Sequence, residues 1–405
     1  PLPQGNGMSL SPSASPNPTN TKSIRIALIA GEASGDRLAA DLVRSIQKKT
    51  AGLSFFGMGG ASMRAAGVHI EQDFAGLSVV GIVEALWHYR RLRTVLERMK
   101  RMLASQRPDL LILVDYAEFN LRLADYAKSI GLKVLFYVSP QLWAWRPSRI
   151  HRMVGRIDGM AVLFPFEVPY YQAVGIPVRF IGNPLVDDVR PSGAVEQLRQ
   201  SFGLGLAKDK PILGLFPGSR ESEWRRHMPT LLQLAEQMMA KGVQPVVSVA
   251  SGLEVDEIEQ ARRHPGIQWV RGRSVDLMAS CDALVVASGT ATLEAGLLKI
   301  PMVVIYRLSW LSYGLLRLFV HVKDIALVNI VAGRRIVQEL IQSLFTLQNL
   351  GEETHRLLFD EAYRRTMVEA LGDVKESLGE GGASDRLADW VLELVLIPPP
   401  RGPSE

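Results

Sequence analysis

Three short stretches carry residue types that could do chemistry together. Asp115-Tyr116-Ala117-Glu118-Phe119-Asn120 groups two carboxylates and an amide directly after the apolar run Asp109–Val114. A carboxylate placed there can act as a general base, and Asp115 is the better candidate because it comes straight off the run. A helix cap followed by a first-turn acid fits the same residues. Pro217-Gly218-Ser219-Arg220 ends a second apolar run, Ile212–Phe216. Gly218 lets the backbone approach a ligand closely, Ser219 offers a hydroxyl, and Arg220 offers a bidentate fork for phosphate. An ordinary turn with a surface arginine reads equally well. Ser288-Gly289-Thr290-Ala291-Thr292-Leu293-Glu294 follows a third run, Ala283–Ala287. Glycine and small hydroxylic residues opening a helix supply donors for phosphate oxygens, and Glu294 falls about one turn in, placed to accept from a ribose diol.

Each stretch follows a predicted strand and precedes a predicted helix. In open α/β sheets, ligands sit outside the carboxyl ends of strands, where such turns lie. The strand expectations for the first half are Ile24–Ala30, Leu53–Phe56, Asp109–Val114, Lys133–Val138, Gly159–Leu163 and Val178–Ile181. Those for the second half are Ile212–Phe216, Pro245–Ala250, Gln268–Val270, Ala283–Ala287 and Met302–Ile305. The turn Gly31-Glu32-Ala33-Ser34-Gly35-Asp36 follows the first strand but lacks the spacing of a dinucleotide fingerprint. Ile336–Gln342, Glu352–Leu371 and Ala383–Leu396 read as helices. The loop Ser139–Arg146 holds Trp143 and Trp145, which suit packing or the faces of sugars and acyl chains alike.

Composition is that of an ordinary globular chain: 405 residues, 47% hydrophobic and 21% charged, a length that suggests two domains. The formal charge of +5 favours anionic partners but is too small and scattered to argue for nucleic acid. The single cysteine, Cys281, excludes an internal disulfide and reads as a small core residue. No uninterrupted apolar segment of about 18 residues reads as a spanning helix, and no signal peptide is evident, so the expected compartment is the cytoplasm. Val79–Leu103 reads as a basic amphipathic helix or helix pair, with Arg90, Arg91, Arg93, Arg98, Lys100 and Arg101 around an apolar face. Such a helix can lie on an anionic membrane or pack on its own domain. Leu308–Val322 is apolar but broken by Arg317, suited to an interface or a dimer surface.

Taken together, these segments resemble bacterial lipid-A-disaccharide synthase, an inverting glycosyltransferase, from Ile24 to Leu396. The carrying motifs are G-E-A-S-G-D at Gly31–Asp36, V-G-I-V-E at Val80–Glu84, D-Y-A-E-F-N at Asp115–Asn120 and Y-V-S-P-Q-L-W-A-W-R at Tyr137–Arg146. P-F-E at Pro165–Glu167, G-N-P-L at Gly182–Leu185, P-G-S-R at Pro217–Arg220 and S-G-T-A-T-L-E at Ser288–Glu294 follow. M-V-V-I-Y-R at Met302–Arg307 and N-I-V-A-G-R at Asn329–Arg334 complete the set. The sequence departs from the family's usual pattern at Ala117, Glu118 and Val328.

The resemblance implies an α/β fold of GT-B type: two Rossmann-like domains with parallel sheets facing across a cleft, and a C-terminal helix crossing back to the first. The expected divisions are a disordered leader at 1–22, an acceptor and membrane-facing domain at 23–187, a UDP-sugar domain at 188–372 and the returning helix at 373–397. The implied donor is UDP-2,3-diacylglucosamine and the implied acceptor 2,3-diacylglucosamine 1-phosphate, joined β(1→6) with release of UDP. Asp115 would take the acceptor's proton, and Arg220 would stabilise the leaving diphosphate. Gly218, Ser219, Ser288, Gly289 and Thr290 would hold the nucleotide, with Glu294 and Asn329 fixing ribose or uracil. Gly31, Ser34, Asn120 and Trp143 are assigned to substrate binding. No Asp-X-Asp pair occurs in the chain, so no metal and no cofactor is expected. The implied setting is the cytoplasmic face of the inner membrane, peripherally bound, and a homodimer by exchange of C-terminal segments is open to such a chain. Other GT-B enzymes (a UDP-GlcNAc 2-epimerase, a peptidoglycan N-acetylglucosaminyltransferase) and a non-catalytic nucleotide-sugar binding protein are the alternatives.

Overall fold

The structure, a computed structural model, describes residues 24–74, 82–140, 147–205, 210–308 and 324–396, with only the backbone described at 82–89 and 147–149. The expected leader, the Trp143 loop, the start of the basic segment and nearly all of Leu308–Val322 lie outside the described residues.

Two parallel sheets carry the chain. The first has seven strands: β1 (Ile24–Ala30), β2 (Leu53–Gly59), β3 (His69–Asp73), β4 (Leu110–Val114), β5 (Val134–Tyr137), β6 (Gly159–Val162) and β7 (Val178–Phe180), in spatial order β3-β2-β1-β4-β5-β6-β7. The second has six: β8 (Ile212–Phe216), β9 (Gln244–Val249), β10 (Gln268–Arg271), β11 (Ala283–Ala287), β12 (Met302–Tyr306) and β13 (Gln338–Ile341), in order β10-β9-β8-β11-β12-β13. Strands covered by helices on both faces must be apolar throughout, which is why β4, β8 and β11 are buried at every residue. The two-domain Rossmann-like expectation therefore agrees with the observed sheets.

Two helical readings are corrected. The stretch read as a helix at Ile336–Gln342 is mainly the edge strand β13, paired with β12 from Val303↔Gln338 to Tyr306↔Ile341. A short apolar run does not itself choose between helix and strand, and here the open edge of the sheet chose. Glu352–Leu371 is not one helix. Leu347–Phe359 ends, and Asp360 caps a new helix, Glu361–Ser377, by accepting from the Tyr363 amide at 3.0 Å.

The last helix, Ala383–Leu396, returns to the first sheet. Leu387, Ala388, Trp390 and Val391 are buried in the same cluster as Ile26 and Leu28 of β1. Gly159 leaves room for the Trp390 ring, which would stand 2.8 Å from any added Cβ, and Arg179 lies over the ring at 4.9 Å. The crossing is pinned where Arg386 Nε donates to the Ile181 carbonyl at 2.7 Å and the Gly382 amide to Asp187 at 2.7 Å.

Candidate active site at two sheet switch points

In each sheet the strand order reverses beside the first strand: between β1 and β4 in one, between β8 and β11 in the other. A crevice opens at such a point because the connections leave to opposite faces, and ligands bind there. The turns after these four strands are the ones the sequence marked: Gly31–Asp36, Asp115–Asn120, Pro217–Arg220 and Ser288–Glu294.

In the first crevice the backbone after β4 turns through two consecutive left-handed residues, Asp115 (φ 50) and Tyr116 (φ 46). Neither is glycine, so the turn stores of order 1 kcal/mol or more per residue. Asn120 holds it in place: its Nδ2 donates to the carbonyls of Asp115 at 2.7 Å and Val114 at 3.2 Å. Asn120 is fully buried beneath the turn. Through its Nδ2 it supports the Asp115 turn, while its Oδ1 is buried with no hydrogen-bond partner among the described residues. At Gly31 a Cβ would lie 2.3 Å from the Tyr116 ring. The glycine exists so that the ring can pack across the β1 turn. Asp36 accepts from the Gly60, Ser62 and Met63 amides at 2.6, 2.8 and 3.2 Å, and so ties this turn to the next helix. Ser34 is exposed on the same turn.

A cavity of about 620 Å³ opens over Asp115, lined by Glu32, Leu92, Arg93, Leu96, Tyr116, Phe119 and Arg122 among others. Burial raises the Asp115 carboxyl above the ordinary aspartate value, against the pull of the Tyr116 amide. Glu32 is raised too, first by burial and then by the neighbouring Asp115 charge. Two acids whose carboxyls are both raised share one cavity, a common arrangement for proton transfer. Glu32 had not been singled out in the sequence. Its position at the carboxyl end of β1, the strand beside β4, was the available signal.

The second crevice is a cavity of about 480 Å³. Gly218, Ser219, Arg220, Ser288, Gly289, Thr290 and Glu294 all line it, as expected for one nucleotide-sized site. Two further segments complete its wall, Ser248–Ser251 at the carboxyl end of β9 and Gly272–Ser274 after β10. The same end-of-strand rule could have found them. Gly218 sits at φ +114 with Glu223 Oε2 only 2.3 Å from where a Cβ would be. That carboxylate accepts from the Ser219 and Arg220 amides at 3.1 and 3.3 Å. The Ser219 and Arg220 amides are therefore occupied, and the turn's offer to an anion is the Ser219 hydroxyl and the guanidinium. Arg220 rests on Glu223 Oε1 at 3.2 Å while its side chain stays 75% exposed. A rim charge held this lightly can swing to a ligand.

Two side chains brace this crevice from behind. His227, fully buried, bridges the Pro217 carbonyl at Nδ1 (2.7 Å) and the Arg307 amide at Nε2 (3.1 Å). Nε2 must accept, so the imidazole is neutral with its proton on Nδ1, and burial lowers its affinity for a second proton. Asn329 accepts from the Ile336 and Val337 amides at 2.8 and 3.0 Å and donates to the Val337 carbonyl and Glu339 at 2.9 and 2.8 Å. Every hydrogen-bonding position of its amide is filled from within the lobe. Glu339 also holds the Ile325 and Ala326 amides, and the Ile325 carbonyl accepts from the Ser288 hydroxyl at 3.1 Å. Glu294 lies at the boundary of the lobes. Burial raises its carboxyl, the Arg37 charge from the first lobe opposes that, and Asp188 adds to it. Arg37 pairs with Asp188 at 3.5 Å. Among the described residues the two cavities have no lining residue in common.

Solved structures share this architecture. A UDP-GlcNAc 2-epimerase from Neisseria meningitidis bound to UDP-GlcNAc superposes with a TM-score of 0.63 at 13% identity, covering 91% of this chain and 100% of that one. The glycotransferase of kitacinnamycin gives 0.63 at 14% identity, covering 92% and 100%. At such identities the likeness is of fold, and it sets the class: a two-lobed GT-B architecture. The family model for lipid-A-disaccharide synthetase matches residues 26–386. The lipid-A-disaccharide synthase of Trichlorobacter lovleyi is 44% identical over 376 residues, 92% of this chain and 97% of that protein. That of Nitrosococcus oceani is 44% identical over 376 residues, 91% and 96%. The chain belongs to the lipid-A-disaccharide synthase family.

Proposed function

We propose that the chain condenses UDP-2,3-diacylglucosamine with 2,3-diacylglucosamine 1-phosphate. The acceptor's 6-hydroxyl oxygen bonds to the donor's anomeric carbon on the face opposite the diphosphate. The anomeric bond to the diphosphate breaks, UDP leaves, and the hydroxyl proton passes to Asp115. Arg220, released from Glu223, neutralises charge growing on the diphosphate, and the Ser288–Thr290 turn and Ser219 donate hydrogen bonds to it. Glu294 accepts from the ribose. Residues 23–187 form the acceptor lobe and 188–372 the UDP-sugar lobe, and closure of one on the other brings the two cavities together.

The observation that carries this reading is the division of chemistry between the switch points: desolvated acids in one lobe, glycine corners with hydroxyls and a guanidinium in the other. Guanidinium and helix-end charge would replace a divalent ion, so turnover should survive exhaustive chelation; a strict magnesium requirement would overturn that part. The protein acts as a peripheral membrane enzyme through its basic helix. Among the described residues no helix is long and apolar enough to cross a membrane. Replacing Arg90, Arg91 and Arg93 by glutamate should lower binding to anionic liposomes with the fold retained. Exchange of the C-terminal segment between two copies would give a homodimer, visible by sedimentation.

The deciding experiment is UDP release from the acylated donor with and without the acylated acceptor. Release only with acceptor, with a disaccharide product, supports transfer. Release or isomerisation of UDP-GlcNAc alone would favour an epimerase, and binding without release a non-catalytic protein.

A further inference from the structure

The cavity over Asp115 holds two guanidinium groups that deprotonating an alcohol does not require. Arg93 comes from the helix Ile82–Gln106 and Arg122 from the helix Ala117–Ser129, which pack on each other. Both side chains are exposed into it. Among the described residues Arg122 has no hydrogen-bond or ion-pair partner, although Glu118 stands one turn before it on the same helix and lines the same cavity. Arg93 faces Glu97, whose carboxylate is bound to Lys100 at 2.8 Å. The cavity continues into a groove of about 390 Å³ that shares Arg93 and Glu97 and adds Arg90, Thr94 and Arg101. Leu92, Leu96 and Phe119 supply an apolar wall to the same cavity that the two guanidiniums and the acids at the strand ends line. An uncharged sugar needs no such pair, and a nucleotide diphosphate has its own site in the other lobe. An acylated sugar bearing a phosphate matches all three components: alcohol to the acids, acyl chains to the leucines, dianion to the arginines.

We propose that Arg93 and Arg122 form an anion subsite for the phosphate of the acceptor and so set the enzyme's preference for a phosphorylated one. This rests on the function proposed above. The same chemistry would suit an anionic lipid headgroup, and Arg93 belongs to the membrane-facing set, so Arg122 carries the discriminating arm.

The test is steady-state kinetics in neutral detergent micelles, with the diacylglucosamine acceptor offered with and without its 1-phosphate. Arg122→Ala should raise KM for the phosphorylated acceptor about tenfold, roughly what one lost charge-assisted contact would give. KM for the unphosphorylated acceptor and for the donor should barely move. Arg122→Lys should recover part of the loss, and Arg93→Ala with Arg122→Ala should level the two acceptors. An unchanged preference, or an equal loss on both acceptors, overturns the subsite. So does a loss confined to binding of phosphatidylglycerol vesicles, which would assign the guanidiniums to headgroups. Wild-type protein that releases no UDP with either acceptor overturns the function proposed above, and the subsite falls with it. Both positions are exposed, and an unchanged thermal midpoint checks that the variants fold.

Discussion

The two switch points are built from the same βα unit and solve opposite problems. Between β1 and β4, the turn is bent through two non-glycine left-handed residues, locked from below by Asn120 and from the side by a ring lying over Gly31. Between β8 and β11, Gly218 supplies the bend without a Cβ, and the charged side chain is left loose on Glu223. A proton acceptor gains from rigidity and desolvation, because aim and basicity both depend on them. A phosphate grip gains from close backbone and a charge free to follow the ligand.

That contrast can be broken lobe by lobe. The largest effect belongs to Asp115→Asn, which tolerates the left-handed backbone: turnover should fall by about 10²–10⁴-fold, the usual worth of a general base. UDP affinity, measured by calorimetry, should stay nearly the same. Loss of both would show that the lobes are not separate in function. Arg220→Ala should lower turnover about 10²-fold or more, on the scale of one transition-state donor, and weaken UDP as well.

The two glycines sharpen the comparison. Gly31→Ala should displace Tyr116 and with it Asp115, lowering kcat about tenfold with UDP affinity kept, whereas Gly218→Ala should weaken UDP by a similar factor, each being a clash of roughly 1–3 kcal/mol. Identical phenotypes would erase the distinction. Next comes His227→Phe, which leaves the Arg307 amide and Pro217 carbonyl unpaired. That should cost about 1–3 kcal/mol in chemical denaturation and raise donor KM more than it lowers kcat.

The smallest effects are pH-dependent and of opposite sign. His227 binds its proton less readily folded than unfolded, so its contribution to stability is whole above the ordinary histidine value of 6.5 and is lost as pH falls through that region. Asp115 binds its proton more readily when folded, so its ionisation destabilises as pH rises past the ordinary 3.8. Asp115→Asn should therefore be more stable than wild type at neutral pH and lose that advantage in acid. Thermal melts across pH would check both. The acid limb of kcat/KM should also lie above the ordinary aspartate range.

Much of the site was legible because parallel strands buried on both faces read as plain apolar runs, and chemistry gathers at their carboxyl ends. Asp115, Gly218, Ser219, Arg220, Ser288, Gly289, Thr290 and Glu294 all line the two cavities. What could not be read was which polar residues serve the protein itself. Asn329 and Asp36 sit in motifs as suggestive as Asp115 does, yet their side chains are bonded inward, as is the Asn120 amide nitrogen. Glu32 and His227 were missed for the converse reason, since a turn acid and a mid-helix histidine carry no local mark of what they face.

The chain's residue order alone determined the alternation of strand and helix, the turns that carry chemistry, and the family, because these depend on periodicity and on residues near one another in sequence. Tertiary structure decided which turns meet. Strand order put β4 beside β1 and β11 beside β8, and so paired Glu32 with Asp115 and Arg220 with the Ser288 turn. It also decided that β13 is a strand, since an open sheet edge outweighs local preference. A side chain's role depends on its partners across the fold, and those are fixed by packing between segments far apart in the chain.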